Sequence, residues 1–237
     1  MITANASTII ARATQELGLA SPDVGFGSTD QVGIQSLALL NSLGEGLLRE
    51  HDWQNLLKEA TFTGTGSIDS FSLPSDFFRV VNQTMWATSD KKPVRGSMTA
   101  QQWGWMQHGI IADGIIYRYR IADGKVQVFP TPPLNEQFAF YYVGKNWVKT
   151  SGSPTANADL LVNWSDTPQF PRALMIKGLK NLLWAAKGFD TTSLNKEYLD
   201  ELSAYKGQSQ GAQVIHLSRP AEGFLLDAWR NVPDGNW

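Results

Sequence analysis

Hydrophobic positions recur along the chain with two different periods, and the change of period divides it in three. Residues 3–60 have helical spacing, which predicts a short helix from about Ser7 to Leu17, a turn over Gly18–Gly27, and a long helix from about Thr29 with Thr29 or Asp30 as N-cap. At about 100° per residue, Leu37, Leu40, Leu43, Leu47 and Leu48 fall in one sector with Gly33 and Gly44 inside it, while Ser42, Glu45 and Arg49 lie opposite. That sector is the expected core face. Glycines at 33, 44 and 46 each cost a helix roughly 1 kcal/mol against alanine, so their presence predicts close approach by another backbone, or a bend.

From Ala60 to about Leu161 the pattern changes to short β-branched and aromatic runs between turn signals. The predicted strands are 60–63, 67–73, 79–86, 115–121, 125–129 and 137–143. Tyr117-Arg-Tyr-Arg-Ile121 and Lys125-Val-Gln-Val-Phe129 flank Ala122-Asp-Gly124, and Asp-Gly supplies the positive φ angles of a tight hairpin. A second Ala-Asp-Gly at 112–114 points to a three-strand meander. Thr99 to Gln107 is compatible with a short helix carrying Trp103 and Met106, and Thr150 to Ala158 reads as a flexible loop or boundary. Pro74 disfavours helix at Leu73 and cannot donate to a ladder. The strand from Ser67 is therefore expected to end there, with Asp76 capping a turn before Arg79 begins the next strand, so that Pro74, Asp76 and Arg79 form a rigid structural corner.

Helical spacing returns at Pro168. Pro171 suits a first turn, Met175, Ile176, Leu179, Leu182, Leu183 and Ala186 share one side, and Gly188 is placed to end the helix. Leu194, Tyr198, Leu202 and Tyr205 then mark a second helix. The two helical segments, 3–58 and 168–206, each have an apolar sector and are too short to be stable alone, so they are expected to pack together. Beyond Lys206 the chain is apolar without a period. Leu217, Phe224, Leu225, Leu226, Trp229, Val232 and Trp237 are interspersed with Gly211, Pro220, Gly223, Pro233 and Gly235, which predicts an extended arm that orders only against a preformed groove, whether on a partner or on its own helices.

These periods define an α+β fold class: N- and C-terminal helices forming a bundle (1–59 and 168–210), an inserted, mainly antiparallel β domain (60–167), and a C-terminal arm (211–237). Composition narrows the function. The chain has 237 residues, enough for a sizeable core, and its 20 Lys and Arg and 22 Asp and Glu make it 18% charged, where about 25% is usual. A formal net charge of -2 gives no overall basic field for a nucleic-acid binder, although a local basic patch is compatible with it. With no cysteine there is no disulfide scaffold, thiolate metal site or cysteine nucleophile. The start, Met1-Ile-Thr-Ala-Asn-Ala-Ser7, lacks the pattern of a secretory signal and reads as a cytosolic one, and no run of about 18 apolar residues predicts a membrane span.

Candidate chemistry is sparse. His51, His108 and His216 have no metal-ligand spacing; His51, between Glu50 and Asp52, suits a helix C-terminus. Gly64-Thr-Gly66 and Gly25-Phe-Gly27 do not complete a phosphate loop, and no Gly-x-Ser-x-Gly elbow is present. Asp113 and Asp123 lie in Asp-Gly turns, where backbone conformation accounts for them, so no carboxylate pair for glycoside hydrolysis stands out. No catalytic residue, metal ligand or cofactor is expected. Nine Trp, eleven Phe and six Tyr are abundant instead. Much of this fills a core; the remainder suits protein interfaces or carbohydrate platforms. Trp103 and Trp105 share a face on a strand but lie about 200° apart on a helix. In Tyr117-Arg-Tyr-Arg120 the alternation puts both Tyr on one face and both Arg on the other, as in an ordinary half-buried strand.

Arg49-Glu-His-Asp-Trp53 closing a helical pair, Phe71-Ser-Leu-Pro-Ser-Asp-Phe-Phe-Arg79, Pro130-Thr-Pro-Pro133 before Phe138-Ala-Phe-Tyr-Tyr142, and two closing helices together resemble the head-to-tail adaptor proteins of tailed bacteriophages, near the tail tubular protein A group. The resemblance covers residues 3–206 in element order, with Leu-Pro-x-Asp-Phe-x-Arg at 73–79 its sharpest motif. It implies a non-enzymatic virion protein at the head-tail junction, made in the host cytoplasm. Twelve copies would form a connector ring between the portal protein and the tail or nozzle proteins. DNA would pass through its channel without sequence-specific binding, and no membrane would be involved. It also implies that Leu217, Phe224, Leu225, Leu226, Trp229 and Trp237 bind the portal or a neighbouring subunit. The alternative from composition is a carbohydrate- or receptor-binding tail module, which requires Trp or Tyr platforms exposed on one sheet face.

Overall fold

The computed structural model describes residues 2–23, 30–108, 116–152 and 156–209. In chain order these form helices α1 (Ala6–Glu16) and α2 (Gln31–Glu50), a 3-10 turn (Gln54–Leu56), strands β1 (Leu57–Thr63), β2 (Ser70–Ser72), β3 (Phe77–Val80), β4 (Trp86–Ala87) and β5 (Lys92–Pro93), and helix α3 (Ala100–His108). Strands β6 (Arg118–Ala122), β7 (Lys125–Phe129), β8 (Gln137–Gly144), β9 (Val148–Lys149), β10 (Asn157–Ala158) and β11 (Thr167–Pro168) follow, then helices α4 (Arg172–Ala186) and α5 (Thr192–Ser209). Contacts group them into two compact units. One joins the residues up to Leu56 with the described residues from Gly144 onward; the other is Leu57–Val143. The fold is α+β, with the terminal helices together and a β region inserted between them.

In the helical unit both N-terminal helices begin at side-chain caps. Asn5 Oδ1 accepts from the Thr8 amide at 3.0 Å and Asp30 Oδ1 from the Val32 amide at 2.9 Å, each satisfying a donor that the first helical turn leaves unpaired. The buried face of α2 is Gly33, Ser36, Leu40, Leu43, Gly44, Leu47 and Leu48, with Leu37 half-buried and Ser42, Glu45 and Arg49 exposed. The close approach at Gly44 comes from a ring rather than a backbone: a Cβ there would overlap the indole of Trp147. Gly178 of α4 is similarly covered by Leu43 and Tyr198, which brings α2 and α4 together. Leu174, Met175, Leu179 and Leu183 are buried along α4 and Leu202 along α5, while Ala186, expected in the core, is exposed. Gly188, with φ +79°, ends α4 in the left-handed region that favours glycine. Trp53 joins the two ends of the chain. Fully buried, it donates from Nε1 to the Leu47 carbonyl at 2.6 Å and stacks on Tyr205 of α5 with ring centroids 4.8 Å apart.

The described residues from Gly144 to Pro168 group with the helices by contact. Here β9 pairs antiparallel with both β10 and β11; of the loop expected over Thr150–Ala158, only Asn157 and Ala158 lie in a strand among the described residues. The lobe is tied to α1 and α2 by polar groups. Asn41 exchanges two hydrogen bonds with the Leu161 backbone, at 2.8 and 3.1 Å, and the Ala6 amide donates to the Asp166 carbonyl at 2.9 Å.

The β unit contains two antiparallel sheets. One has the order β1-β8-β4-β5 with β3 also on β8; the other is β2-β7-β6. Their inner faces share one core, in which Phe62 stacks between Phe71 and Phe138 at centroid distances of 4.4 and 5.0 Å, beside Tyr119, Val126 and Val128. The Asp123-Gly124 hairpin forms as predicted, with φ of +52° and +65° and Ala122 opposite Lys125. The strand expected over 79–86 is instead broken, β3 ending at Val80 and β4 beginning at Trp86. Between them Gln83 has φ +61° and Thr84 Oγ1 donates to the Val81 carbonyl at 2.7 Å, so the segment turns. Strand β1 starts at Leu57, three residues before the expected Ala60, and β2 is shorter than the predicted 67–73. Helix α3 forms, with Trp103 3% exposed and Trp105 62% exposed, which resolves the two tryptophans in favour of the helical arrangement. The 112–114 turn and the strand start at Ile115 lie outside the described residues.

Candidate functional site

Leu73–Arg79 makes a hydrogen-bonded polar corner of the β unit. The Phe77 amide donates to the Pro74 carbonyl at 3.0 Å, closing a turn, and the next strand begins at Phe77, so Arg79 lies within β3. The Asp76 carboxylate reaches beyond this turn. It pairs with Lys58 Nζ of β1 and accepts from Tyr142 Oη of β8 at 2.9 Å. Lys58 and Tyr142 are direct cross-strand partners, so Asp76 bridges one rung of the β1-β8 ladder. Burial pushes the Asp76 carboxyl up, but the hydrogen bonds from Lys58 and Tyr142 together with the Lys58 charge outweigh it and hold the group below its ordinary range. Burial and the hydrogen bond to Asp76 push the Tyr142 phenol up to about 12.

A buried carboxylate, Asp166, carries no motif in the sequence. It is 1% exposed and accepts from the amides of Ser151 at 2.9 Å, Val162 at 3.1 Å and Asn163 at 2.8 Å. Burial raises its proton affinity, but these backbone donors prevail and lower its pKa. The only local signal would have been an Asp three residues after an Asn in a polar turn; the Ser151 contact spans 15 residues and cannot be read from spacing.

The helical unit also has an open groove of about 450 Å³, lined by Gln54, Asn55, Arg172, Glu201, Tyr205 and Ser209 among others. Its lining residue Tyr205 stacks on Trp53, and Glu201 is engaged by Lys177 Nζ at 2.7 Å. Amides, hydroxyls, an aromatic ring, a guanidinium and the Glu201 carboxylate line the groove and can hold a chain segment. Among the described residues, no three His, Asp or Glu side chains converge as metal ligands, and no helix is long and apolar enough to cross a membrane. Leu217, Phe224, Leu225, Leu226, Trp229 and Trp237 lie outside the described residues.

Each unit has an aromatic core and polar side chains that bridge its elements, and the helical unit has an open groove. The chain matches the family model described as SU10 adaptor protein over residues 4–221 and belongs to that family. It is a phage structural protein of the head-to-tail adaptor class, as the motifs at 49–53, 71–79 and 130–142 indicate. No curated protein matches the chain.

Proposed function

We propose that the protein is one subunit of a twelve-membered ring that joins the portal protein to the tail or nozzle proteins and lines the channel through which DNA leaves the head. The family match over residues 4–221 carries this reading. The low content of charged residues supports it, because subunit interfaces are depleted in charge and enriched in aromatics. The helical bundle and the β region act as separate domains of this subunit. The arm over 211–237 supplies the apolar contacts to the portal or a neighbouring subunit, through Leu217, Phe224, Leu225, Leu226, Trp229 and Trp237. No catalysis is required, since the subunit works by joining surfaces.

The test is a mass measurement of the protein alone and mixed with a portal ring. Binding of twelve copies per portal is expected. A protein that stays monomeric beside the portal, and binds glycans on an array, would be a receptor-binding tail module instead.

A further inference from the structure

We propose that the outer face of the β2-β7-β6 sheet binds the phosphate backbone of duplex nucleic acid. The inner face of this sheet is Phe71, Tyr119, Ile121, Val126 and Val128, all in or packed against the core, so residues of the other parity project outward. The register sets Arg118 opposite Phe129, Arg120 opposite Gln127 and Ala122 opposite Lys125, and β2 adds Ser70 beside Gln127 and Ser72 beside Lys125. At the β6 edge, Arg95 forms a parallel bridge with Arg118, the Arg95 amide donating to the Tyr117 carbonyl and the Tyr119 amide to the Arg95 carbonyl, each at 2.9 Å. Four cations drawn from three segments therefore occupy one face. The Tyr117-Arg-Tyr-Arg120 alternation shows two of them; only the register adds Arg95 and Lys125.

Two observations separate this face from an ordinary solvated surface. Among the described residues, none of Arg95, Arg118, Arg120 and Lys125 makes an ion pair. The face has no carboxylate at a strand position, for Asp69 precedes β2 and Asp123 lies in the turn. Arg95 and Arg118 are moreover direct neighbours across the strands, a placement in which like charges are unfavourable. Among the described residues no carboxylate pairs with either, and an external polyanion would relieve the repulsion.

The chemistry favours a phosphate backbone. Three of the four cations are guanidiniums, whose planar fork matches phosphate oxygens, and Gln127, Ser70 and Ser72 add neutral donors between them. Phe129, the aromatic residue of the face, is packed edge-on against Trp103 of α3, with centroids 6.5 Å apart. It offers bases no stacking platform, so the face suits a duplex backbone and not single strands. Arg118 is partly engaged, donating from Nη1 to Met106 Sδ at 3.5 Å, whereas Arg95 and Lys125 are exposed.

This assignment rests on the reading of the ring as a DNA conduit, and its test uses the full-length chain with a mixed-sequence duplex, by fluorescence anisotropy across a salt series. Wild type is expected to bind with a steep salt dependence. The double variant Arg95→Gln/Arg120→Gln should lower the slope of log K against log salt by about 2, since each phosphate contact contributes about 0.9. Arg95→Lys/Arg120→Lys should keep the slope, and Lys196→Gln in α5 should match wild type. The Gln variant should unfold at or above the wild-type temperature, because it relieves like-charge repulsion. An unchanged slope, a clearly lower unfolding temperature, or equal competition by polyglutamate would each overturn the proposal, the last by showing an acidic protein surface as the partner. Portal binding measured on the same wild-type protein separates the two readings: if it persists without duplex binding, the adaptor role stands and only the nucleic-acid face fails.

Discussion

Asp76 shows how one side chain sets local stability. Its carboxylate satisfies Tyr142 Oη, a hydroxyl on a residue that is 4% exposed, so Asp76→Ala leaves a nearly buried donor without its partner as well as removing the pair with half-exposed Lys58. We expect a loss of about 1–3 kcal/mol in denaturant unfolding, with Tyr142→Phe recovering part of it in the double variant. The pH dependence follows from the shifts. The Asp76 pKa is lowered by folding, so its contribution is present above the ordinary carboxylate range, about pH 4, and is lost as pH falls through the folded value. Tyr142 is pushed up to about 12, so its contribution is intact below about pH 10 and is lost as pH rises toward 12. Comparing Asp76→Ala with wild type in urea from pH 2 to 7 checks the acid side: the difference should shrink toward low pH. Asp166 is the more severe case, because three backbone amides depend on it, and Asp166→Ala should cost at least about 3 kcal/mol.

The helices are where the apolar period and the burial agree, and the two exposed-or-buried glycines of α2 test what the period leaves unsaid. Gly44 faces the Trp147 ring, so Gly44→Ala should destabilise by about 1–3 kcal/mol through overpacking. Gly46, one turn fraction away, is exposed and has nothing within 4 Å of an added Cβ, so Gly46→Ala should stabilise by roughly 0.5–1 kcal/mol. Thermal unfolding of the two variants should therefore move in opposite directions. Which glycine does which cannot be read from the chain, since Trp147 lies about a hundred residues away in sequence. The same limit explains what else was and was not legible. The 117–129 hairpin carries its own turn chemistry, and the core faces of α2 and α4 carry a repeat several turns long. Strands β9, β10 and β11 are two residues each, too short for any alternation, and they are held by Asn41 and Asp166 through long-range bonds. In the strand predicted over 79–86, the β-branched run hid a turn at Gln83 that only the positive φ reveals. The cationic sheet face was half legible, as Tyr117-Arg-Tyr-Arg120, because strand pairing and not spacing brings Arg95 beside it.

At the scale of the whole molecule, contacts among the described residues already tie the two ends of the helical unit together. Trp53, Phe170 and Tyr205 join its N-terminal and C-terminal segments, and Lys180 of α4 reaches Glu16 of α1 at 3.0 Å, all within the residues up to Ser209. The family match ends at residue 221, so Phe224, Leu225, Leu226, Trp229 and Trp237 lie beyond it. Burying each such side chain is worth roughly 1.5–3 kcal/mol, against about 1–2 kcal/mol for fixing each backbone residue, so an arm interrupted by Gly223, Pro233 and Gly235 gains by ordering only where a groove is already built. In the adaptor reading proposed above, that groove belongs to the portal or to the next subunit. A chain ending after Gln210 should then unfold cooperatively at nearly the wild-type temperature and yet fail to co-sediment with portal rings. Loss of cooperative unfolding in the truncated monomer would place the arm on its own helices, and undiminished co-sedimentation would remove it from assembly.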